Sequence, residues 1–298
     1  MENTESLELA TTAPQATRPQ ARTPQVECFG LTDQGRVRGR NEDAYLMATL
    51  ERALLVRGSS LPVGHWPHLS TGVGGTLLVV ADGMGGLGGG DVASRVAVAT
   101  IADYMVSYMP WTDQFESRAA PTNVSLPEIR AGLDRALHAG EEQVKGVGRG
   151  GAHPRMGTTV TMAYVLWPRL YVAHAGDSRC YLFREKQLHR LTRDHTLAEE
   201  AASAGLGPVQ PASHLHNVLW NALGADTDVK PEITRYELRP GDQLLLCTDG
   251  LSKHVSDEEL AHFLLESSVP QRICGELVKA ANAAGGSDNI TVVIARFR

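Results

Sequence analysis

Cysteine is scarce and scattered in this sequence. The four cysteines, Cys28, Cys180, Cys247 and Cys274, form no CxxC pair. This spacing favours reduced thiols in a cytosolic protein over a disulfide framework or a cysteine metal site. Long apolar stretches are missing too. No run approaches the roughly 18 residues of a membrane span, and the N-terminus lacks a basic-then-apolar signal pattern. We therefore expect a soluble, cytoplasmic protein with no membrane partner.

Several common catalytic and binding motifs are also absent. Cysteine-dependent phosphatases need an arginine six residues after the nucleophilic cysteine, and none of the cysteines has one. Phosphate-loop nucleotide binding needs a Gly-Lys pair and many serine hydrolases carry GxSxG, but the sequence contains neither. The formal charge of −6 and the pI near 6.0 argue against nucleic acid as a partner.

The chain divides into a short tail and one domain. Residues 1–25 are rich in Thr, Ala, Pro and Gln and lack an apolar period, which predicts a disordered N-terminal tail. Residues 26–298 show no internal repeat and no second linker, and the hydrophobic content of 42% suits a globular domain. Within this domain, residues 52–75 predict a hairpin or loop insertion, and residues 109–123 predict an irregular segment.

Hydrophobic periodicity predicts a mixture of strands and helices, and therefore an α+β domain. Ser-x-x-Glu capping boxes open two of the helices, at Ser125 and Ser256. Residues 205–217 predict a mobile surface segment. The predicted strands cover 26–32, 44–50, 77–80, 158–166, 170–175, 179–183, 188–191, 233–238, 243–248 and 289–298. The predicted helices cover 92–108, 125–147, 196–204, 256–265 and 270–283.

Acidic residues stand beside the ends of the apolar strands. LLVVADG contains Asp82, LLLCTDG contains Asp249, and Asp43, Asp177 and Asp288 adjoin further strands. A single Asp-Gly pair is most simply a turn. Several such residues at corresponding strand ends would converge, however. Carboxylates at such short distances cannot all stay ionised without cations. Because oxygen-only ligands select hard ions, the pattern predicts a Mg²⁺ or Mn²⁺ site.

The glycine run at residues 83–90 also allows a dinucleotide-binding interpretation. Gly83, Gly85 and Gly88 form a GxGxxG between a strand and a helix, and Asp103 lies about 20 residues further on. Asp82, however, would face the pyrophosphate with like charge. Asp103 also falls inside the predicted helix instead of ending a second strand. The dinucleotide fingerprint is therefore weak.

Eight motifs together resemble the metal-dependent serine/threonine protein phosphatases, the protein phosphatase 2C or PPM family, and in particular its bacterial branch. The resemblance spans residues 26–298 and keeps the family's order. The motifs are TDQGRVRGRNEDAY (32–45), VVADGMGG (79–86), MGTTVTMAYV (156–165), AHAGDSRCYLF (173–183), LTRDHTLAEE (191–200), NALGAD (221–226), LLLCTDGLS (244–252) and SDNITVVIARF (287–297).

The resemblance implies a four-layer α-β-β-α sandwich, in which two antiparallel sheets are flanked by helices and a dinuclear Mn²⁺ or Mg²⁺ centre lies at one end. It implies that Asp82 bridges the two central ions, that Asp249 and Asp288 hold one of them, and that Asp177 helps Asp249 to bind a weaker third. A flap over about 196–217 would lie beside the third ion. The implied metal ligands are Glu42, Asp43, Asp82, Gly83, Asp177, Asp249 and Asp288.

The same resemblance implies how the reaction proceeds. Glu42 and Asp43 would act mainly through metal-bound waters. A water shared by the two ions would become hydroxide near neutral pH and attack phosphorus directly, without a phosphoenzyme. Arg38 would grip the phosphate, because its fork of donors matches two oxygens at once. The residues that the resemblance makes catalytic are Arg38, Asp82 and Asp249.

One position departs from the better-known eukaryotic pattern. Those relatives have a histidine after Asp-Gly that serves as general acid, whereas this chain has Met84. Methionine cannot transfer a proton, so the donor to the leaving group stays unassigned. His174 and His195 are candidates, but a structural role is the simpler interpretation of each, because neither has a carboxylate at ligand-like spacing.

Two functions follow from the resemblance. The first is an active protein phosphatase, acting as a monomer on phosphoprotein substrates and opposing a Hanks-type kinase. The alternative is a catalytically weak family member that serves as a phosphoprotein-binding regulator. Retention of Arg38, Asp43, Asp82, Asp249 and Asp288 favours the active enzyme.

Deleting residues 1–25 should leave turnover and the melting temperature nearly unchanged, because the tail has no apolar face to bury. Thermal unfolding and phosphopeptide hydrolysis of the truncated chain check this expectation. A clear loss of thermal stability would mean that the tail packs on the domain.

Overall fold

Two antiparallel sheets and their flanking helices form the described part of the chain. The computed structural model describes residues 25–53, 70–85, 88–108, 126–151, 153–207, 209–210 and 213–298. The strands are β1 (Val26–Asp33), β2 (Asp43–Ala53), β3 (Ser70–Met84), β4 (Gly157–Thr158), β5 (Val160–Leu166), β6 (Arg169–Ala175), β7 (Arg179–Arg184), β8 (Gln187–Arg190), β9 (Glu232–Glu237), β10 (Gln243–Cys247) and β11 (Ile290–Phe297). The helices are α1 (Gly90–Tyr108), α2 (Leu126–Gly150), α3 (Leu197–Ser203), α4 (Asp249–Ser252), α5 (Asp257–Glu266) and α6 (Pro270–Ala283).

The strands form two sheets, and every pairing within them is antiparallel. One sheet has the order β1-β11-β10-β7-β8, and the other has the order β2-β3-β5-β6-β9, with the short β4 paired to the end of β3. Gln25 and Arg298 exchange two backbone hydrogen bonds beyond the β1–β11 pairing. None of the helices in the described ranges is apolar over a length that could cross a membrane.

Alternation along the strands explains why their apolar runs are continuous. On β3, Leu77 and Val79 pack toward α1 and α2, whereas Leu78 and Val80 pack into the layer between the two sheets. Strands β10 and β11 divide their residues in the same way between the inter-sheet layer and the helices α5 and α6. A strand that is buried on both faces needs apolar side chains at every position. The result is the expected four-layer α-β-β-α sandwich.

The same alternation leads polar residues to one end of the inter-sheet layer. Asp82 follows Leu78 and Val80 at spacings of two along β3, and Thr291 precedes Val293 at the same spacing along β11. Because side chains two residues apart share a face, Asp82 and Thr291 lie at the rim of the inter-sheet core. The candidate site is built at this rim.

Most predicted elements are confirmed, and the differences lie near the site. The predicted strand 158–166 is interrupted at Thr159, because Thr158 pairs with Gly83 and Leu223 while β5 begins at Val160. The apolar strand containing Asp82 continues to Met84. The short helix α4, which begins at Asp249, was not predicted.

Other expectations are met in part. Residues 70–75 of the predicted insertion belong to β3, which pairs with β2 as a hairpin; residues 54–69 lie outside the described part. Ser125, the predicted cap of α2, lies outside it as well, as do residues 1–24 of the tail and 109–123. The predicted segment 205–217 ends in a single 3-10 turn, His214–Asn217.

Candidate metal centre

Asp82 and Asp43 face each other across neighbouring strands. The antiparallel register of β2 and β3 pairs them directly. Thr159, at the break between β4 and β5, holds the Asp82 backbone at both ends. The Asp82 N–H donates to Thr159 Oγ1 at 3.0 Å, and the Thr159 N–H donates to the Asp82 carbonyl at 2.9 Å. The Asp82 backbone is thus held by its pairing with β2 and by the residue between β4 and β5.

Glycines let the chain approach Asp82 closely. A Cβ atom on Gly83 would lie 2.1 Å from the Gly90 carbonyl oxygen, and one on Gly90 would lie 2.8 Å from Glu42 Oε2. Both positions therefore require glycine. The Glu42 carbonyl accepts hydrogen bonds from the Gly83 N–H at 3.2 Å and from Ser94 Oγ at 2.6 Å. These contacts bring the start of α1 and the start of β2 against Asp82.

The Asp43 carboxylate is half satisfied. Its Oδ2 accepts hydrogen bonds from Thr248 Oγ1 at 2.8 Å and Thr291 Oγ1 at 2.7 Å, which belong to the opposite sheet and its flank. Its Oδ1 is buried and has no hydrogen-bond partner among the described residues. A buried carboxylate oxygen without a donor is unfavourable, and a cation would relieve it.

Asp249 and Asp288 flank the adjacent strands β10 and β11. Asp288 Oδ2 accepts a hydrogen bond from Arg38 Nη2 at 2.7 Å. Asp249 Oδ2 forms an ion pair with the Lys253 ammonium. Asp249 Oδ1 is buried without a partner in the described part of the chain, like Asp43 Oδ1.

Asn289 joins the loops that carry the acidic residues, and sequence reasoning used it only as a neighbour of Asp288. Its Oδ1 accepts a hydrogen bond from the Glu42 N–H at 2.8 Å, and its Nδ2 donates to the carbonyls of Gln34 and Arg40 at 2.9 Å each. A Cβ atom on Gly250 would lie 2.0 Å from the Asn289 carbonyl oxygen. The polar side chain after Asp288 is visible in the sequence. Its hydrogen-bond partners, more than 200 residues away, could not be predicted from it.

Asp177 lies in the turn between β6 and β7 and is 8% exposed. Gly176 before it has a φ of +121°, and a Cβ there would lie 2.5 Å from Thr159 Cβ. The turn is thus pressed against the residue that fixes the Asp82 backbone. Asp177 is also close enough to Asp249 to interact with it electrostatically.

One cavity connects the predicted site residues. It has a volume of about 450 Å³ and opens at the rim of the inter-sheet layer. Asp43 does not line it but lies opposite Asp82, with its carboxylate bonded to the other sheet. All eight predicted positions are therefore brought together. Those that line the cavity are Arg38, Glu42, Asp82, Gly83, Asp177, Asp249 and Asp288.

The acidic side chains raise one another's proton affinity. Burial, followed by the neighbouring Asp249 and Asp43, holds the pKa of Asp82 well above its usual range. Burial also raises the pKa of Asp43 to about 7, against the opposing hydrogen bonds from Thr291 and Thr248. Burial and then Asp249 raise the pKa of Asp177 to about 7. At neutral pH these groups need protons or cations beside them.

The donor set fits hard divalent ions, with water completing the coordination. It consists of oxygen atoms alone, and two of the buried ones have no partner. Across the described ranges, no three Asp, Glu, His or Cys side chains are placed so that they could hold a metal ion by themselves. Since Asp288 and Asp249 are paired with Arg38 and Lys253, these carboxylates would have to share or exchange partners to bind an ion. Water ligands are usual for Mg²⁺ in such sites.

Both candidate histidines have structural partners. His174 is buried, and its two ring nitrogens contact Thr161 Oγ1 at 2.8 Å and the Arg193 carbonyl at 2.9 Å; burial lowers its pKa to about 3. His195 is 2% exposed and contacts Glu232 Oε2 at 3.2 Å, a carboxylate that sequence spacing did not reveal. Neither histidine lines the cavity, whereas Met84 does.

Comparison with known proteins decides the family. The sequence pattern of protein phosphatase 2C matches residues 67–279. The chain belongs to this family. Protein phosphatase PhpP of Streptococcus pneumoniae is 31% identical over 268 residues, which are 89% of this chain and 94% of PhpP.

Solved phosphatase structures share the fold. The crystal structure of the serine/threonine phosphatase PstP/Ppp of Mycobacterium tuberculosis has a TM-score of 0.69 and 30% identity, covering 91% of this chain and 98% of that one. The PstP catalytic domain in complex with two manganese ions has a TM-score of 0.68 and 30% identity, with the same coverage. The suspected bacterial branch of the protein phosphatase 2C family and its α+β sandwich are thereby confirmed.

The thermal stabilisation by Mn²⁺ should grow as the pH rises from 5 toward 8. The folded pKa of Asp43 and Asp177 is raised to about 7. Bound protons therefore stabilise the folded, metal-free protein below that pH. This contribution to the free energy of unfolding is lost as the pH rises through 7. Mn²⁺ replaces the protons, so it has least effect where they are already bound.

The measurement is the melting temperature with excess Mn²⁺ minus the melting temperature with excess chelator, at several pH values. The buried histidines titrate in both samples, so their contribution largely cancels. A difference that is constant, or that is larger at pH 5 than at pH 8, would contradict the raised carboxylate pKa values.

Proposed function

We propose that this chain is a metal-dependent phosphatase that hydrolyses phosphoserine and phosphothreonine in proteins. Its membership of the protein phosphatase 2C family supports the reaction class. The observation that carries the proposal is the convergence of Asp43, Asp82, Asp177, Asp249 and Asp288 at one rim of the inter-sheet core, where burial and mutual repulsion raise several of their pKa values. Such a cluster destabilises a fold unless cations complete it.

Two central Mn²⁺ or Mg²⁺ ions would be held here, with Asp82 between them. Asp249 and Asp288 would hold one ion directly, and Asp177 with Asp249 would take a weaker third. When bound, the ions supply positive charge for the phosphate and water that is acidic enough to attack phosphorus near neutral pH. The proposed ligand set is Glu42, Asp43, Asp82, the Gly83 carbonyl, Asp177, Asp249 and Asp288.

Arg38 would bind the substrate phosphate. Its guanidinium is anchored through Nη2 on Asp288 at 2.7 Å, and its side chain is 53% exposed at the cavity mouth. The Nη2 contact therefore fixes the orientation of the guanidinium, while its other N–H donors stay available. A guanidinium suits this task because its planar fork matches two phosphate oxygens.

The biological setting is also part of the proposal. Phosphoproteins are the proposed substrates, and a Hanks-type kinase is the proposed source of their phosphate groups. A cytoplasmic, monomeric enzyme is proposed on the sequence features alone. A catalytically weak regulator is not favoured, since Arg38 and six of the seven proposed ligands, all but Asp43, line one cavity.

Replacing Asp82 with asparagine should reduce phosphopeptide turnover about 100-fold or more in saturating Mn²⁺, because a neutral amide is a poor ligand between two cations. Hydrolysis rates and bound manganese are measured on the same preparations. The matched control is Asp103→Asn, which changes an exposed carboxylate on α1. Wild-type hydrolysis that persists in excess chelator would overturn the proposed function.

Arg38→Ala should weaken phosphopeptide binding, raising KM about tenfold to a hundredfold with a smaller change in kcat, because a charge-assisted hydrogen bond contributes about 1.5–3 kcal/mol. Arg36→Ala is the control, since Arg36 is also exposed on the same loop but does not line the cavity. If both variants kept the wild-type KM, Arg38 would be no more than a surface charge.

A further inference from the structure

Lys253 is the second basic side chain of the site, and the proposed reaction gives it no role. It follows α4, where its N–H donates to the Asp249 carbonyl at 2.8 Å, and its ammonium pairs with Asp249 Oδ2. Its side chain is 38% exposed. It lines both the cavity of the metal centre and an adjoining cavity of about 620 Å³, and Asp177 and Asp249 line both cavities too. Lys253 therefore stands where the two cavities meet.

A positive charge is needed at this boundary. The Asp249 side chain is 13% exposed and Asp177 is 8% exposed, so neither carboxylate is well solvated. Asp249 adds to the burial that raises the pKa of Asp177, and Lys253 acts in the opposite direction. The Lys253 ammonium thus offsets part of the negative charge of both carboxylates.

The two oxygens of Asp249 have different surroundings. Oδ2 is taken by Lys253, while Oδ1 is buried without a partner in the described part of the chain. An ion that binds Asp249 through Oδ1 leaves the ion pair intact. An ion shared by Asp249 and Asp177 has to approach the same carboxylates that already interact with the ammonium. Two cations in this space repel each other, so the second binds at the expense of the first.

We propose that Lys253 is an internal competitor for divalent ions at the Asp177–Asp249 pair. The inference rests on the proposed metal-dependent function and adds a residue that regulates metal binding. The ammonium compensates the two carboxylates at low metal concentration and swings away, into the adjoining cavity or solvent, when an ion binds between them. Lys253 thereby sets how much Mn²⁺ is needed to fill the weaker position.

The test is a Mn²⁺ titration by calorimetry on the intact chain and on Lys253→Met. Since a partly exposed ion pair is worth up to about 1 kcal/mol, loss of the ammonium should tighten the weakest binding step about threefold to fivefold. Lys253→Arg keeps the charge and should stay within about twofold of wild type. Lys279→Met is the matched control, because it removes a lysine paired with Glu276 on α6 that lines neither cavity.

A second readout has the opposite sign. In excess chelator at pH 8, Lys253→Met should melt at a lower temperature than wild type, because Asp177 and Asp249 lose their compensating charge. A folded Lys253→Met protein with unchanged or weaker Mn²⁺ binding would overturn the proposal. So would a raised KM for phosphopeptide without tighter metal binding, since Lys253 would then act on substrate.

Asp177→Asn links the effect to the proposed pair. In that background, Lys253→Met should no longer tighten Mn²⁺ binding, and an undiminished effect would overturn the assignment to Asp177. These titrations need no turnover. If wild-type protein bound Mn²⁺ but hydrolysed no phosphopeptide, the proposed function would fail while the competition by Lys253 would still be decided.

Discussion

Repulsion among partly buried carboxylates is the constraint on which the organisation of this molecule depends. Asp82 lies at the rim of an apolar layer, and its pKa is raised first by burial and then by Asp249 and Asp43. A fold gains no stability from assembling such a cluster of carboxylates, because each added carboxylate makes ionisation of the others less favourable. The arrangement becomes favourable when cations are present. Hard cations bound at this rim would therefore stabilise the fold.

The two-sheet sandwich is what makes this arrangement rigid. The β2–β3 register supplies Asp43 and Asp82, and the opposite sheet supplies the hydroxyls of Thr248 and Thr291 that hold Asp43. Asn289 ties the loops at the same rim. The carboxylates are thus prevented from moving apart to relieve their repulsion. Two cationic side chains that line the cavity, Arg38 and Lys253, balance part of the charge by pairing with Asp288 and Asp249.

Much of this arrangement could be predicted from the sequence, because strand alternation and acidic strand ends are local features. Apolar runs such as 77–80 predicted buried strands, and the repeated Asp-Gly after such runs predicted a shared metal site. What stayed hidden depends on contacts between distant segments. The break at Thr159, the short helix α4 and the role of Asn289 arise from packing of β3, β10 and the loop before β11. Lys253 gave no signal, because a lysine four residues after Asp249 is usually a solvated helix charge.

The acidic rim is proposed as a cation site centred on Asp82. The decisive experiment is anomalous diffraction at the manganese edge, from crystals soaked in Mn²⁺. Two strong peaks about 3.5–4 Å apart are expected, both within bonding distance of the Asp82 carboxylate. Absence of any peak within bonding distance of Asp82, with manganese bound elsewhere on the chain, would contradict it.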